Sequence, residues 1–154
     1  MREVRPLEPG DEAGVAGLFA AYLAEFGALI DTDVAGEARA LFATYAAPDA
    51  RLLVATVDGA VAGCVGWKRV GSACEMKRLV VAPSQRGQGL GRVLVEAILA
   101  DAAEAGFGRM FLVTTEAMAA ARALYAKLGF RPASAYRPTV VTCALTMDVA
   151  LAKA

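Results

Sequence analysis

The segment "RLVVAPSQRGQGLGRVLVEAILADA", residues 78–102, decides the fold. It begins as an apolar strand and ends as an amphipathic helix, and three glycines at alternate positions (Gly87, Gly89 and Gly91) join the two. The first N–H groups of a helix have no intrahelical partner, and glycines leave them open to a ligand. Because the helix dipole also favours negative charge there, the loop predicts a phosphate-binding site. The alternative is a turn that only packs the helix on the strand, but glycine at every second position beside two arginines exceeds what packing needs.

The composition is that of one globular unit, which we expect to span residues 1–154 as a single domain. Lysine plus arginine and aspartate plus glutamate number 16 each, so no net field favours a nucleic acid or an anionic membrane. No apolar run approaches the roughly 18 residues of a membrane span, and the first residues carry charges where a signal peptide has its apolar core. We therefore expect a cytoplasmic protein. The hydrophobic content of 57% also suits an apolar subunit interface, so a homodimer is one interpretation.

The histidine and cysteine content limits the catalytic mechanisms that the chain can use. The chain contains no histidine, which excludes serine–histidine and cysteine–histidine catalysis and histidine metal sites. Cys64, Cys74 and Cys143 are scattered among apolar residues without a CxxC pair, which predicts buried, reduced thiols rather than a zinc site. We therefore expect no metal, and chemistry that uses carboxylates, tyrosine, lysine or backbone dipoles.

Hydrophobic periodicity predicts the element order β-α-α-β-β-β-α-β-α-β. The pair Asp58-Gly59 is favoured in tight hairpin turns, and Gly27 and Gly129 are predicted helix ends. This order is typical of an α/β fold, in which a mixed sheet has helices on both faces. The predicted strands are residues 2–7, the two arms of 51–70, 73–82, 109–115 and 140–151, and the predicted helices are residues 12–26, 37–46, 90–105 and 117–128.

Three kinds of phosphate-binding loop compete for the glycine segment. A Walker loop ends in Gly-Lys-Ser/Thr, whereas Arg92 and Val93 follow Gly91 here. A dinucleotide fingerprint spaces its glycines as GxGxxG after the first strand of a βαβ unit, whereas this loop has GxGxG after a strand reached through hairpins. The segment "RGQGLG", residues 86–91, resembles the Arg/Gln-x-x-Gly-x-Gly/Ala motif of the GNAT acyltransferase superfamily, which holds the pyrophosphate of acetyl-CoA.

The resemblance covers nearly the whole chain. The family's first strand and helix are similar to "VRPLEPGDEAGVAGLF", its second and third strands to "VDGAVAGCVGW", its fourth strand to "EMKRLVVAP", and its C-terminal helix with a tyrosine to "ARALYAKLGF". This resemblance implies a GNAT-like α/β (α+β) domain with a mixed, mostly antiparallel sheet flanked by helices. It also implies a splay between strands 4 and 5, where the pantetheine arm of acetyl-CoA lies like an additional strand.

The resemblance implies that acetyl-CoA is the co-substrate. Many relatives have an asparagine seven residues before the tyrosine, where this chain has Met118, so one polar contact with the pantetheine is expected to be lost. The residues implied to bind the cofactor belong to the fourth strand and the glycine loop: Leu79, Val80, Val81, Arg86, Gly87, Gln88, Gly89, Leu90, Gly91 and Arg92.

Tyr125 is the candidate proton donor. It stands at the tyrosine of "LYAKLGF", and the resemblance implies that its hydroxyl protonates the leaving thiolate. The alternative is a core tyrosine, because Tyr125 shares an apolar helical stripe with Ala121, Leu124 and Leu128.

Glu75 is the candidate base, because some members of the superfamily place a catalytic glutamate on the fourth strand. Strict alternation would put Glu75 on one face with Lys77, Leu79 and Val81. One alternative is a structural glutamate paired with Lys77 or with a neighbouring strand. Others are a water molecule as base, or Glu116 just beyond the fifth predicted strand.

In this fold the first helix pair and the loop before the last strand form the acceptor groove. Acidic residues beside aromatic ones would suit a cationic amine, although an acidic loop is also often simply solvated. The candidates are Tyr22, Glu25, Phe26, Asp31, Asp33, Glu37, Tyr136 and Arg137. We therefore expect an acetyl-CoA-dependent N-acetyltransferase that moves an acetyl group to a primary amine of a small molecule or peptide by direct attack on the thioester. The alternatives are an acyltransferase that uses another acyl-CoA and a non-catalytic acyl-CoA-binding module.

Overall fold

A mixed seven-stranded sheet forms the centre of the molecule in a computed structural model that describes residues 1–27, 33–139 and 144–152. Its strand order is β1-β2-β3-β4-β5-β7-β6, and all neighbours are antiparallel except the parallel pair β4 and β5. The strands are β1 Arg2–Pro6, β2 Ala50–Val57, β3 Ala60–Val70, β4 Ala73–Val81, β5 Arg109–Thr115, β6 Arg131–Ala133 and β7 Ala144–Ala150. The predicted mixed, mostly antiparallel sheet is confirmed.

Helices cover both faces of this sheet, as predicted. The helices are α1 Glu12–Phe26, α2 Val34–Arg39, α3 Leu41–Thr44, α4 Leu90–Glu104 and α5 Ala119–Lys127. One apolar cluster joins the sheet to α1, α2 and α3, and the other joins it to α4 and α5. In α4 the buried side chains of Leu90, Leu94, Ile98 and Ala102 recur every fourth residue, so one helical stripe faces the sheet.

One predicted helix differs from the structure, and one strand was not predicted. The predicted helix 37–46 is wrong in extent, because the carboxylate of Asp33 accepts from the N–H of Gly36 at 2.8 Å and starts α2 at Val34. The backbone of Ala40 (φ −138°) then separates α2 from α3. The strand β6 was not predicted, since three residues are too few for an alternating pattern. Residues 140–143 of the predicted last strand, with Cys143, lie outside the described residues.

The parallel pair β4 and β5 opens into a gap. Its register contains only Cys74 opposite Met110 and Glu75 opposite Phe111. Beyond Glu75 the register pairs no further residue of β4 with β5, while β5 remains paired with β7 along its length. The predicted splay between strands 4 and 5 is therefore confirmed.

A β-bulge interrupts β4 beside this gap. Gly66 of β3 lies opposite Lys77, but Cys64 lies opposite Val80, so β4 contains one extra residue between these two pairs. Arg78, inside the bulge, has a φ of 57°, which is uncommon for a residue with a side chain. Backbone groups of the bulge consequently have no residue opposite them in the register with β3 or β5.

The bulge also exchanges the two faces of β4. Before it, Cys74 and Met76 pack in the cluster formed with α4 and α5, and after it Leu79 and Val81 pack against that same cluster. The prediction that Glu75 shares a face with Leu79 and Val81 is therefore wrong, because strict alternation does not allow for the extra residue.

Candidate active site

The glycine loop is held open by its backbone conformation. Gly87 and Gly89 have φ angles of 77° and 80°, in the left-handed region that glycine adopts at little cost. A Cβ atom added to either residue would meet no heavy atom within 4 Å, so the space above the loop is free of protein. Gly89 precedes α4 and its carbonyl accepts from the N–H of Val93 at 3.2 Å. The N–H groups of the three residues between them have no partner within the helix, which is the geometry of an anion site.

The two arginines of this segment, Arg86 and Arg92, form ion pairs with glutamates. The guanidinium of Arg86 donates to both carboxylate oxygens of Glu25 on α1, at 3.2 and 2.7 Å, and to the carbonyl of Val81 at 3.3 Å. Arg92 donates to Glu96 one turn later at 3.1 Å. The backbone carbonyl of Gln88 accepts from Arg2 of β1. The loop itself therefore offers a ligand backbone N–H groups, and the predicted roles of Arg86, Gln88 and Arg92 stay predictions.

Two adjoining cavities connect the glycine loop with the gap in the sheet. The first, here called the loop groove, has a volume of about 380 Å³ and is lined by the loop, by residues 79–81 of β4 and by Leu124. The second, here called the inter-strand cavity, has a volume of about 360 Å³ and lies between β4, β5, α1 and α5. Six residues line both cavities, so the two lie side by side: Tyr22, Glu25, Phe26, Leu79, Ala120 and Ala121.

Tyr125 lies on α5 and lines the inter-strand cavity. It is 8% exposed, and its ring packs on Phe130 with the ring centroids 5.8 Å apart. Burial, together with the nearby Tyr22, raises the pKa of the Tyr125 phenol above its ordinary value, so the hydroxyl is protonated at neutral pH. Tyr125 thus combines a packed ring with a place in the cavity wall.

Glu75 lies in the same cavity wall, at the last paired position of β4 with β5. Its side chain is almost fully buried, and Arg137 donates to both of its oxygens at 2.8 and 2.9 Å. The structure thus pairs Glu75 with Arg137 from the segment between β6 and β7 rather than with Lys77. Glu116 is exposed and does not line the cavity.

A buried network that sequence reasoning missed anchors the bulge of β4. Arg78 donates to both oxygens of Glu37 on α2, at 3.0 and 2.6 Å, and the hydroxyl of Tyr45 donates to Glu37 at 2.9 Å. Burial alone would raise the pKa of Glu37, but the hydrogen bonds and charge of Arg78 outweigh it and hold that pKa below its ordinary value. The pair joins residues 41 positions apart, so no local pattern in the sequence could have indicated it.

The acidic residues predicted for the acceptor groove do not form a free negative surface. Glu25 pairs with Arg86, Glu37 pairs with Arg78, and Asp33 caps α2. Asp31 lies outside the described residues. The argument for a cationic acceptor therefore loses its support in the described part of the chain, because these carboxylates are already neutralised or used for capping.

The remaining predicted groove residues are divided between the cavity and the region beside β5 and β7. Tyr22 and Phe26 of α1 line the inter-strand cavity and contact each other edge to face, with ring centroids 5.6 Å apart. Tyr136 stacks on Phe111 at 4.4 Å and donates to Asp148 at 2.7 Å, outside the cavity lining. Met118 precedes α5, lines the cavity, and accepts at its sulfur from the hydroxyl of Thr114 at 3.5 Å.

The described residues contain no group of three or more aspartate, glutamate, cysteine or histidine side chains that could hold a metal ion. Within residues 1–27, 33–139 and 144–152, no helix has the length and apolar character needed to cross a bilayer. Cys64 and Cys74 are buried free thiols whose pKa values burial raises to about 12, so both are protonated and unreactive at neutral pH.

The family model and the relatives that match this chain are all acetyltransferases. The model of the acetyltransferase (GNAT) family matches residues 17–130. The chain is 34% identical over 139 residues to an uncharacterised N-acetyltransferase of Schizosaccharomyces pombe, covering 82% of this chain and 83% of that one. It is 39% identical over 97 residues to the IAA acetyltransferase of Azospirillum brasilense, covering 62% of this chain and 63% of that protein.

A solved structure with the same fold is that of the PaiA N-acetyltransferase of Thermoplasma acidophilum, which was determined in complex with coenzyme A. The TM-score is 0.76 at 15% identity, and the superposition covers 96% of this chain and 98% of that one. At this identity the likeness concerns the fold alone.

Proposed function

The chain belongs to the GNAT family of acetyltransferases, and from that premise we propose that it transfers the acetyl group of acetyl-CoA to a primary amine of a small molecule or peptide. The observation that carries the proposal is the row of two adjoining cavities, from the loop groove at the glycine loop to the inter-strand cavity with Tyr125. A ligand with an anionic end and a reactive end matches a row of cavities that begins at helix N–H groups and ends at a protonated phenol.

The loop and β4 are the parts of the chain that would hold acetyl-CoA. The N–H groups of Leu90, Gly91 and Arg92 would bind the pyrophosphate, because they lie in the first turn of α4 and have no acceptor within the helix. The backbone of residues 79–81, on the side of β4 that β5 leaves unpaired, would bind the amide-bearing pantetheine as an added strand. Met118 is less polar than the asparagine that many relatives have at this position, so the pantetheine would lose one polar contact there.

The reaction requires the amine nitrogen to attack the thioester carbon while the carbon–sulfur bond breaks. A backbone N–H of residues 79–81 would donate to the developing oxyanion, since the register pairs none of these residues with β5. Tyr125 would donate its hydroxyl proton to the departing sulfur. The raised pKa of the phenol ensures that this proton is present at neutral pH.

We propose Glu75 as the group that accepts the proton released by the amine. It lines the cavity, whereas Glu116 does not. Both of its oxygens accept from Arg137, and each oxygen keeps a second lone pair that could take the proton of the amine.

A turnover assay with free-thiol detection tests the proposed function. The purified protein is mixed with acetyl-CoA and a panel of primary amines, and products are identified by mass spectrometry. We expect amine-dependent release of CoA and an N-acetylated product. Binding of CoA without amine-dependent thiol release would favour a non-catalytic binding module, and faster release from longer acyl-CoA donors would favour another acyltransferase.

We further propose a cytoplasmic location. The buried, unpaired thiols of Cys64 and Cys74 support this, because free cysteines are typical of proteins that function in a reducing compartment.

A further inference from the structure

Five charged side chains line the inter-strand cavity, and they differ in whether an ion pair compensates their charge. They are Glu25, Glu75, Lys77, Arg78 and Arg137. Four of the five are in ion pairs: Glu25 with Arg86, Glu75 with Arg137, and Arg78 with Glu37. Among the residues that the structure describes, no carboxylate forms an ion pair with Lys77. The charge left uncompensated in the cavity is therefore a positive one.

The ammonium group of Lys77 loses part of its hydration in the cavity wall, which disfavours its charged form. Lys77 lies on β4 between Glu75 and the bulge at Arg78, and it is only partly exposed. Burial lowers the pKa of its ammonium group, an effect that the charge of Glu75 only partly opposes. The ion pair of Glu75 is with Arg137, which donates to both of its oxygens, and not with Lys77. A cation in this position gains most from an anion that enters the cavity with the substrate.

From this arrangement we infer that the acceptor is a small amino acid, whose carboxylate pairs with Lys77 while its amine reacts near Tyr125. The inference rests on the proposed acetyl transfer and names the substrate class of that same site. The cavity volume of about 360 Å³ must hold the acetyl end of the donor as well, which favours a small acceptor. Both glutamates in the cavity lining are in ion pairs with arginines. Lys77 is therefore the group that would distinguish an amino acid from its carboxamide.

The test compares amines in matched pairs, each amino acid beside its carboxamide, in the thiol-release assay. The proteins are the parent, Lys77→Met, which keeps an unbranched apolar stem, and the control Lys127→Met, an exposed lysine at the end of α5. The parent should prefer the acids by at least about tenfold in kcat/KM, because the amide leaves the buried cation unpaired. Lys77→Met should lose that preference through a higher KM for the acids, while Lys127→Met keeps it.

Two results of this assay would overturn the inference. One is a parent protein that acetylates acids and amides equally well. The other is a Lys77→Met protein with unchanged melting temperature that keeps the preference and loses kcat instead, which would make Lys77 part of the proton transfer.

A binding measurement separates this inference from the proposed function. If no amine in the panel is acetylated, the proposed function fails, and the substrate class is tested by calorimetry on the protein saturated with CoA. The probes are N-acetyl-β-alanine and its carboxamide. Tighter binding of the acid that disappears in Lys77→Met supports carboxylate recognition, and equal or absent binding of the two probes overturns it.

Discussion

Arg137 donates to both carboxylate oxygens of Glu75 across 62 positions of sequence, and this pair joins the wall of the inter-strand cavity to the segment before the last described strand. The arrangement gives Glu75 two separable roles. It fixes the position of Arg137, and it places a carboxylate where an amine would react. A substitution that keeps the shape of the side chain distinguishes them.

Glu75→Gln tests Glu75 as the base. If Glu75 takes the proton of the amine, the variant should lose kcat/KM by about 10²–10⁴-fold below the pKa of the acceptor amine and recover part of it as the pH rises, because free amine then becomes available without a base. The measurement is the pH profile of kcat/KM. Glu116→Gln, at an exposed carboxylate outside the cavity, serves as the control and should match the parent. A loss that is uniform across pH would assign Glu75 only the structural role of holding Arg137.

Gly89→Asp tests the anion site at the start of α4. The new side chain would enter space that is free of protein, with a negative charge where the pyrophosphate is proposed to bind. We expect the affinity for CoA to fall at least about a hundredfold, as two like charges a few Å apart near a protein surface repel strongly. Calorimetry with CoA gives the affinity.

The matched control for Gly89→Asp is Gly59→Asp in the hairpin between β2 and β3. Gly59 has a φ of 83°, close to the 80° of Gly89, and also open space around its Cβ position. Both variants should therefore lose a similar stability of about 1–2 kcal/mol through backbone strain. Equal CoA affinity of the two proteins would contradict the assignment of the loop.

Local signals in the sequence were sufficient for most of the fold. The Asp58-Gly59 turn, the two strands that it joins and the glycines before α4 each depend on neighbouring residues, and the structure has them as predicted. The splay between β4 and β5 came from the family resemblance rather than from a pattern in these strands.

The features that sequence reasoning missed depend on residues far apart in the chain. The bulge in β4 is visible only against its partner strand β3, and the pairing of Arg78 with Glu37 spans 41 positions. A charged residue in a strand pattern is usually read as exposed, and here Arg78 is 7% exposed because a second helix supplies its carboxylate. The ion pairs of Glu25 and Glu37 in the predicted acidic groove were missed for the same reason, since each meets an arginine from another element.

Glu37→Gln tests the network that anchors the bulge. The substitution leaves Arg78 buried without a charged partner, and we expect the free energy of unfolding to fall by about 3–5 kcal/mol at neutral pH. Asp49→Asn, which breaks the exposed pair with Arg69, is the control and should cost at most about 1 kcal/mol. Denaturant unfolding measures both. Equal losses in the two variants would mean that the buried pair adds nothing beyond a surface pair.

The stability difference between the parent and Glu37→Gln should also depend on pH. The pKa of Glu37 is lower in the folded protein than in the unfolded chain, so its contribution is complete above the unfolded value of about 4.3 and is lost as the pH falls through the folded value. The two unfolding curves should therefore converge in acid. A difference that stays constant from pH 7 to pH 3 would contradict the ionic origin of the effect.

Tyr125→Phe tests the proton donor, and it separates the two roles of this side chain. The substitution keeps the ring that packs on Phe130 and removes only the hydroxyl, so the melting temperature and the affinity for CoA should change little. The leaving thiolate has a conjugate-acid pKa near the value of about 8.5 for a free thiol, and without a donor it departs as an anion into a buried cavity. We expect kcat at saturating acetyl-CoA to fall by about 10²–10³-fold at neutral pH.

The matched control for Tyr125→Phe is Tyr45→Phe, which also removes a buried hydroxyl, but one that donates to Glu37 away from the cavity. Tyr45→Phe should lower the free energy of unfolding by about 1.5–3 kcal/mol, because the acceptor is a charged carboxylate, and leave kcat nearly unchanged. If Tyr125→Phe melts like the parent and turns over at the parental rate, the hydroxyl is not the proton donor. Tyr125 would then contribute to catalysis only by packing α5 against the sheet, and the proton on the sulfur would have to come from water.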